Sequence, residues 1–187
     1  MKIAIFIEEH SSKEPIKTFI HKILGQHAGI VDRVVKRGNL LNEEKVKAHI
    51  NFLLIYHSVS KIIVCVDSEC TPEEEIEKIT NKIEKSLKAK IKQPIYYITI
   101  VHAFEGWLLS DPDCIKKYLG PRAKVNISPS ASKECKPKEL MKDIFRKADK
   151  DYIHTLHNTE IAKQANPERI MKSNKSFKKF YDIIKDP

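Results

Sequence analysis

The sequence predicts an α/β protein, a mostly parallel sheet flanked by helices, with a basic helical extension at its C-terminal end. Apolar runs of strand length recur through the first hundred residues, at Ile3–Ile7, Ile62–Val66 and Ile95–Val101. Segments with helical spacing of apolar residues separate them, and the connections are short. Alternating strands and helices with short links argue for a parallel sheet covered on its faces by helices.

The first strand is Lys2–Ile7. The next segment, from about Glu14 to Leu24, places Ile16, Phe19, Ile20 and Ile23 on one buried helical face, with Ser11, Ser12 and Pro15 as start signals. Ile30–Val35 reads as a short strand closed by Lys36-Arg37-Gly38. A second helix is expected from Asn42 to about His57, with Asn42 as N-cap and Glu43 and Glu44 in its first turn. The strand Ile62–Val66 follows. Thr71-Pro72-Glu73-Glu74-Glu75 then opens a helix reaching about Lys88, because Pro suits a first turn and acids complement the helix dipole.

After Pro94 comes the strand Ile95–Val101, then helical segments at Phe104–Leu109 and Pro112–Leu119. Pro121–Lys136 reads as a loop. Helices at about Pro137–Lys147, Glu160–Ala165 with Pro167–Lys172, and Ser173–Ile184 complete the chain. Residues 1–120 are expected to form the α/β core, and 121–187 to pack on it as a helical extension.

Composition narrows the function classes. The chain has 187 residues, 41% of them hydrophobic and 32% charged, in the range of a globular domain with a real core. No run approaches the roughly 18 apolar residues of a membrane span. The apolar part of the N-terminus is too short for a signal peptide, so a cytoplasmic protein is expected. Cys65, Cys70, Cys114 and Cys135 form no CxxC pair, and the expectation is four free thiols. Formal net charge is +9, of which +7 falls after residue 119. A basic C-terminal third suits a polyanion such as nucleic acid, although a solvated Lys-rich surface gives the same count.

Function is read from acids at the strand ends. Ile3–Ile7 runs into Glu8-Glu9, Lys61–Val66 into Asp67-Ser68-Glu69, and Tyr96–Val101 into His102-Ala103-Phe104-Glu105. Ligand sites of parallel α/β sheets lie outside the carboxyl ends of the strands. Mg2+ takes oxygen ligands, usually one or two carboxylates with phosphate and water. Asp67 and Glu69, two apart, would share a face in extended geometry. Glu8 joins them only if its strand neighbours theirs. Each acid alone is equally at home as a helix cap or a solvated side chain.

Several segments carry a resemblance. Phe104-Glu105-Gly106-Trp107-Leu108-Leu109-Ser110-Asp111-Pro112 is similar to the E-a-W-L-L-a-D segment of the DUF4276 family, a TOPRIM-like group. Lys136–Leu140, Tyr152 with Thr155-Leu156-His157, Ile161-Ala162 and Ser176–Phe180 extend the similarity over nearly the whole chain. The Glu after the first strand and the D-x-[DE] after a later one look like a TOPRIM domain, the catalytic module of topoisomerases, primases and overcoming-lysogenization-defect nucleases. The resemblance implies a TOPRIM-like, Rossmann-like fold with Mg2+ or Mn2+ at Glu8, Asp67 and Glu69, and with Glu105 and Asp111 as further acidic ligands. Two departures stand out. Glu9 replaces the Gly usual after the first acid, leaving open whether Glu8 or Glu9 is the ligand, and the second acid of the pair is Glu69 rather than Asp.

The implied activity is metal-dependent cleavage or phosphotransfer on DNA or RNA, in phage or plasmid defence beside an ATPase partner. Lys138 and His157 match family positions and are expected to contact a phosphate or protonate a leaving group. Lys36, Arg37, Lys138, Lys178 and Lys179 are the expected nucleic-acid contacts. The alternative is a non-catalytic TOPRIM-fold subunit that binds nucleic acid or regulates a partner. His154-x-x-His157 lacks the spacing and third ligand of a zinc site, and there is no GxSxG or P-loop pattern.

Overall fold

The computed structural model describes residues 1–121, 123, 125–128 and 130–186. Its sheet has four parallel strands, β1 (Lys2–Ile7), β2 (Gly29–Val34), β3 (Lys61–Asp67) and β4 (Ile95–Ile100), in the order β2-β1-β3-β4. The helices are α1 (His10–Leu24), α2 (Arg37–Leu40), α3 (Glu43–Tyr56), α4 (Glu73–Lys88), α5 (Glu105–Leu109), α6 (Pro112–Leu119), α7 (Pro137–Arg146), α8 (His154–Gln164), α9 (Pro167–Ser173) and α10 (Lys175–Lys185). The α/β architecture, the parallel sheet and the C-terminal helices are those the sequence predicts.

The central strands are buried on both faces, and successive side chains alternate between two apolar layers. Ile3, Ile5, Ile7, Ile63, Cys65, Ile98 and Ile100 join one layer with α1, α5 and the C-terminal helices. Ala4, Phe6, Ile62, Val64, Val66, Ile95 and Tyr97 join the other, with α3 and α4. Aromatic rings fill the first layer: Phe19, Phe104, Trp107 and Phe177 pack edge to face or tilted, 5.0–6.5 Å apart. The Trp107 indole N–H donates to Ser176 Oγ at 2.8 Å, tying α5 to α10. Lys61, buried at the start of β3, donates its ammonium to the carbonyls of Ile183 and Asp186, where the open end of α10 favours a cation.

Several boundaries differ from expectation for local reasons. α1 starts at His10, a turn before Glu14, because Glu9 serves as N-cap residue: its carbonyl accepts the Ser12 N–H at 3.2 Å and its carboxylate accepts the Ser11 hydroxyl at 3.0 Å. Pro15 therefore lies inside the helix. Asn42 caps α3 as expected, accepting the Lys45 N–H at 3.1 Å. The stretch read as a basic turn closes into the short helix α2. α8 begins at His154 instead of Glu160, because the His157 ring accepts the Ile153 N–H at 2.9 Å and secures the helix start. Of the expected loop 121–136, Arg122, Lys124 and Pro129 lie outside the described residues, and Ala131–Lys133 form a 3-10 turn.

Candidate functional site

The strand order creates a crevice between β1 and β3. From β1 the chain crosses to β2 on one side, and from β3 it crosses to β4 on the other. Such a switch point, at the carboxyl ends of the strands, is where open parallel sheets bind ligands. Glu8 directly follows β1 and Asp67 ends β3. The two strands are hydrogen-bonded neighbours, as a joint site requires.

Glu8 Oε1 accepts the backbone N–H of Asp67 at 2.8 Å. Above them opens a cavity of about 480 Å3, walled by Glu8, Glu9, Asp67, Glu69, Ala103 and the stretch Cys135–Glu139, with Cys70 on its rim. Burial pushes the Glu8 carboxyl up to about 7, against the opposing effect of its hydrogen bond from Asp67 and the charge of Arg37. Asp67, 9% exposed, is held well above the usual carboxylate range by burial and by the charges of Glu8, Glu105 and Glu9. Positive charge placed beside the two acids would oppose both shifts.

Glu9 behaves differently. Burial raises its carboxyl, but the Lys138 ammonium at 2.5 Å and the Ser11 hydroxyl outweigh burial and hold it below its ordinary value. Lys138 in turn is raised: its desolvation is overcome by the bond to Glu9 and by the charges of Glu105, Glu9 and Asp67. One ammonium thus serves three carboxylates, Glu9, Glu105 and Asp67.

Arg37 braces the turn after β3. Its guanidinium donates to the Asp67 carbonyl at 3.1 Å, the Ser68 carbonyl at 3.3 Å and Glu69 Oε2 at 3.2 Å. Glu69 has φ of 52°, so the chain turns away there, and its side chain is mostly exposed on Arg37. The extended geometry that would have put Glu69 beside Asp67 ends at Asp67 itself, the last residue of β3. His102 bonds the Glu69 carbonyl from the end of β4.

Glu105, 1% exposed, opens α5 and lies close enough to raise Asp67. Its Oε1 accepts from Asn158 Nδ2 at 3.0 Å and from the Tyr152 hydroxyl at 3.4 Å. Its Oε2 is buried without a hydrogen-bond partner among the described residues. Gly106 lets α5 approach this closely, since a Cβ there would meet the Val101 carbonyl oxygen at 2.8 Å. Sequence reading missed Asn158 and Tyr152 as Glu105 partners. Nothing local signals a bond spanning about fifty residues.

Other expected residues go elsewhere. Asp111 accepts the Asn166 N–H at 2.8 Å and faces Arg169, joining α6 to α9; its carboxylate is committed there and does not line the acidic cavity. His157 stacks on Tyr152 and packs near Phe145 and Tyr118, with its ring accepting the Ile153 N–H, so it is a half-buried residue that secures the helix start. Burial lowers its pKa. Lys36 is exposed at the start of α2. Lys178 pairs with Asp182 at 2.5 Å, and Lys179 borders a groove with Glu73, Glu74 and Glu77 rather than the acidic cavity. The thiols also need correction. Cys65 and Cys114 are free and buried, whereas Cys70 and Cys135 form a disulfide. Their separation of 65 positions hides the pairing from the sequence.

Among the described residues, no three His, Cys, Asp or Glu side chains are already gathered as a complete metal-binding group. Glu8 and Asp67 nevertheless fit a hard divalent cation: they are neighbouring, desolvated oxygen donors whose charge Arg37 and Lys138 offset only in part. The orphaned Glu105 Oε2 adds to that excess. Glu69, turned onto Arg37, does not fit.

An α/β protein with an acidic crevice at a sheet switch point is the class that fold and site define. The model of the DUF4276 family, a domain of unknown function, matches residues 7–185, and the chain belongs to that family. No curated protein and no solved structure matches the chain.

Proposed function

We propose that the chain is a metal-dependent phosphoryl-transfer enzyme, a nuclease acting on DNA or RNA, with a TOPRIM-like centre between β1 and β3. The observation that carries this reading is the Glu8–Asp67 pair, two carboxylates lining one desolvated crevice and both raised above their ordinary values by burial. A divalent cation, Mg2+ or Mn2+, held by Glu8 and Asp67 would supply Lewis-acid polarisation of a phosphate and a more acidic bound water. Glu105 sets the charge behind them. Arg37 fixes the Asp67 carbonyl and the turn, keeping the Asp67 carboxylate aimed at the crevice. Lys138 presents an ammonium on the cavity wall that a phosphate oxygen can share once it leaves Glu9.

The net charge of +9 supports a polyanionic substrate, whose backbone attracts Lys and Arg without regard to sequence. An ATPase companion in phage or plasmid defence rests on the TOPRIM-like resemblance alone.

One observation favours a second reading. The Lys138–Glu9 and Arg37–Glu69 pairs balance part of the acidic charge internally, as a non-catalytic nucleic-acid-binding or regulatory subunit would. Cleavage of labelled single- and double-stranded DNA and RNA with Mg2+ or Mn2+ separates the two. The enzyme reading expects cutting by the native chain and loss of it in Asp67→Asn with an unchanged circular dichroism spectrum. Binding without cutting, equal in both proteins, supports the subunit reading.

A further inference from the structure

The Cys70–Cys135 disulfide sits where a structural staple has little to hold and a functional site has much to gain. Both cysteines are exposed, on the rim of the acidic cavity. Cys70 lies in the turn that follows β3, and Cys135 lies in the stretch leading to Lys138 at the start of α7. Their Cα atoms are 5.1 Å apart. The bridge therefore ties the acidic wall of the cavity to its basic wall. Each wall also has its own anchor away from the bridge: Arg37 clamps the turn, and Met141, Ile144 and Phe145 bury α7. Exposed disulfides of this kind are the labile ones, open to exchange with external thiols.

We propose that the Cys70–Cys135 bridge is a redox-reversible strap across the mouth of the acidic cavity: oxidised, it holds the two walls together, and reduced, it frees residues 134–137 and widens the entrance to a nucleic-acid strand. The consequence for strand entry rests on the nuclease reading above; the strap itself does not. Reduction uses an external dithiol. One of its thiolates attacks a bridge sulfur, the S–S bond breaks, and the other protein sulfur leaves as a thiolate that takes a proton. The dithiol's second thiolate then displaces the mixed disulfide, and the released protein sulfur takes another proton. The dithiol is oxidised to its disulfide, and both protein cysteines become thiols. Exchange with a low-molecular-weight disulfide reverses the reaction.

Hydrogen exchange read by mass spectrometry on the full chain tests the strap, comparing oxidised, dithiothreitol-treated and reoxidised protein with Cys135→Ser. The expected result on reduction is an increase of about tenfold or more at the Glu134 amide, which bonds the Ala131 carbonyl at 3.3 Å, reversed by reoxidation and permanent in the variant. The Arg37-clamped turn 68–71 keeps its rate. Exchange in β1, β3 and the later turns of α7 stays unchanged. Three results overturn the proposal: equal exchange in both states, a rise spread through β1 and β3 as a global staple would give, or unpaired thiols in the oxidised protein. Oligonucleotide binding with Mg2+, measured in the same samples, is expected to tighten on reduction. Absence of binding in either state counts against the nuclease reading and leaves the exchange result to decide the strap.

Discussion

Glu8, one residue past β1, accepts the backbone N–H of Asp67, the last residue of β3, at 2.8 Å. This bond joins two adjacent strands at their carboxyl ends and points two acids into one crevice. It also makes Glu8 the hinge of the electrostatics, since the group that orients Asp67 is itself a carboxylate held up to about 7 by burial.

That shift sets a pH dependence for stability. The folded chain binds the Glu8 proton more tightly than the unfolded chain, whose ordinary value is 4.5. The resulting penalty is absent below 4.5, grows as pH rises, and is complete above about 7. Glu8→Gln removes the charge while its amide oxygen still accepts from Asp67. The variant is expected to melt higher than the native chain above neutral pH, by roughly 1–2 kcal/mol after allowing for solvent screening, or about 3–6 °C. The gain should vanish in melts run below pH 4.5.

Asn158 tests the support of Glu105. Asn158→Ala removes the 3.0 Å donor from a carboxylate that already has one unpaired oxygen. A cost of about 1–3 kcal/mol is expected, seen as a lower urea midpoint with unchanged slope. Asn158→Asp, which sets a second acid against Glu105, should cost at least as much.

Gly106→Ala probes the seat of α5. The added methyl would lie 2.8 Å from the Val101 carbonyl oxygen and 3.2 Å from that of Ser132, both backbone atoms with little room to give. Overpacking of this kind costs about 1–3 kcal/mol. Thermal melting checks it, and Gly38→Ala, with open space around it, serves as the mild comparison.

Arg37→Ala removes three hydrogen bonds from the turn after β3. Faster amide exchange at 67–70 is expected. The melting temperature should fall by only a few degrees, because the bond to Glu69 is exposed and the strand core is untouched. Arg37→Lys, which cannot span three acceptors, should lie nearer to Ala than to the native residue.

What the sequence made legible was the part governed by short-range pattern. Apolar runs gave β1, β3 and β4, Asn42 gave the start of α3, and acids placed after apolar runs pointed to Glu8 and Asp67. What stayed hidden depends on residues far apart in the chain. The Lys138–Glu9 pair, the Asn158 bond to Glu105 and the Cys70–Cys135 bridge each close across 53 to 129 residues. Glu69 illustrates a different limit. Spacing of two predicts a shared face only while the chain stays extended, and Asp67 is where extension ends. His157 drew attention for its chemistry, yet its ring is spent on the Ile153 N–H and on aromatic neighbours.

The central claim is that Glu8 and Asp67 hold a divalent cation. Calorimetric titration of the folded chain with Mn2+, slightly above neutral pH, tests it most directly beside Glu8→Gln and Asp67→Asn. The account predicts one saturable site in the native chain, weakened about tenfold or more in each variant. No saturable binding by the native chain, or equal affinity in Asp67→Asn, would contradict it.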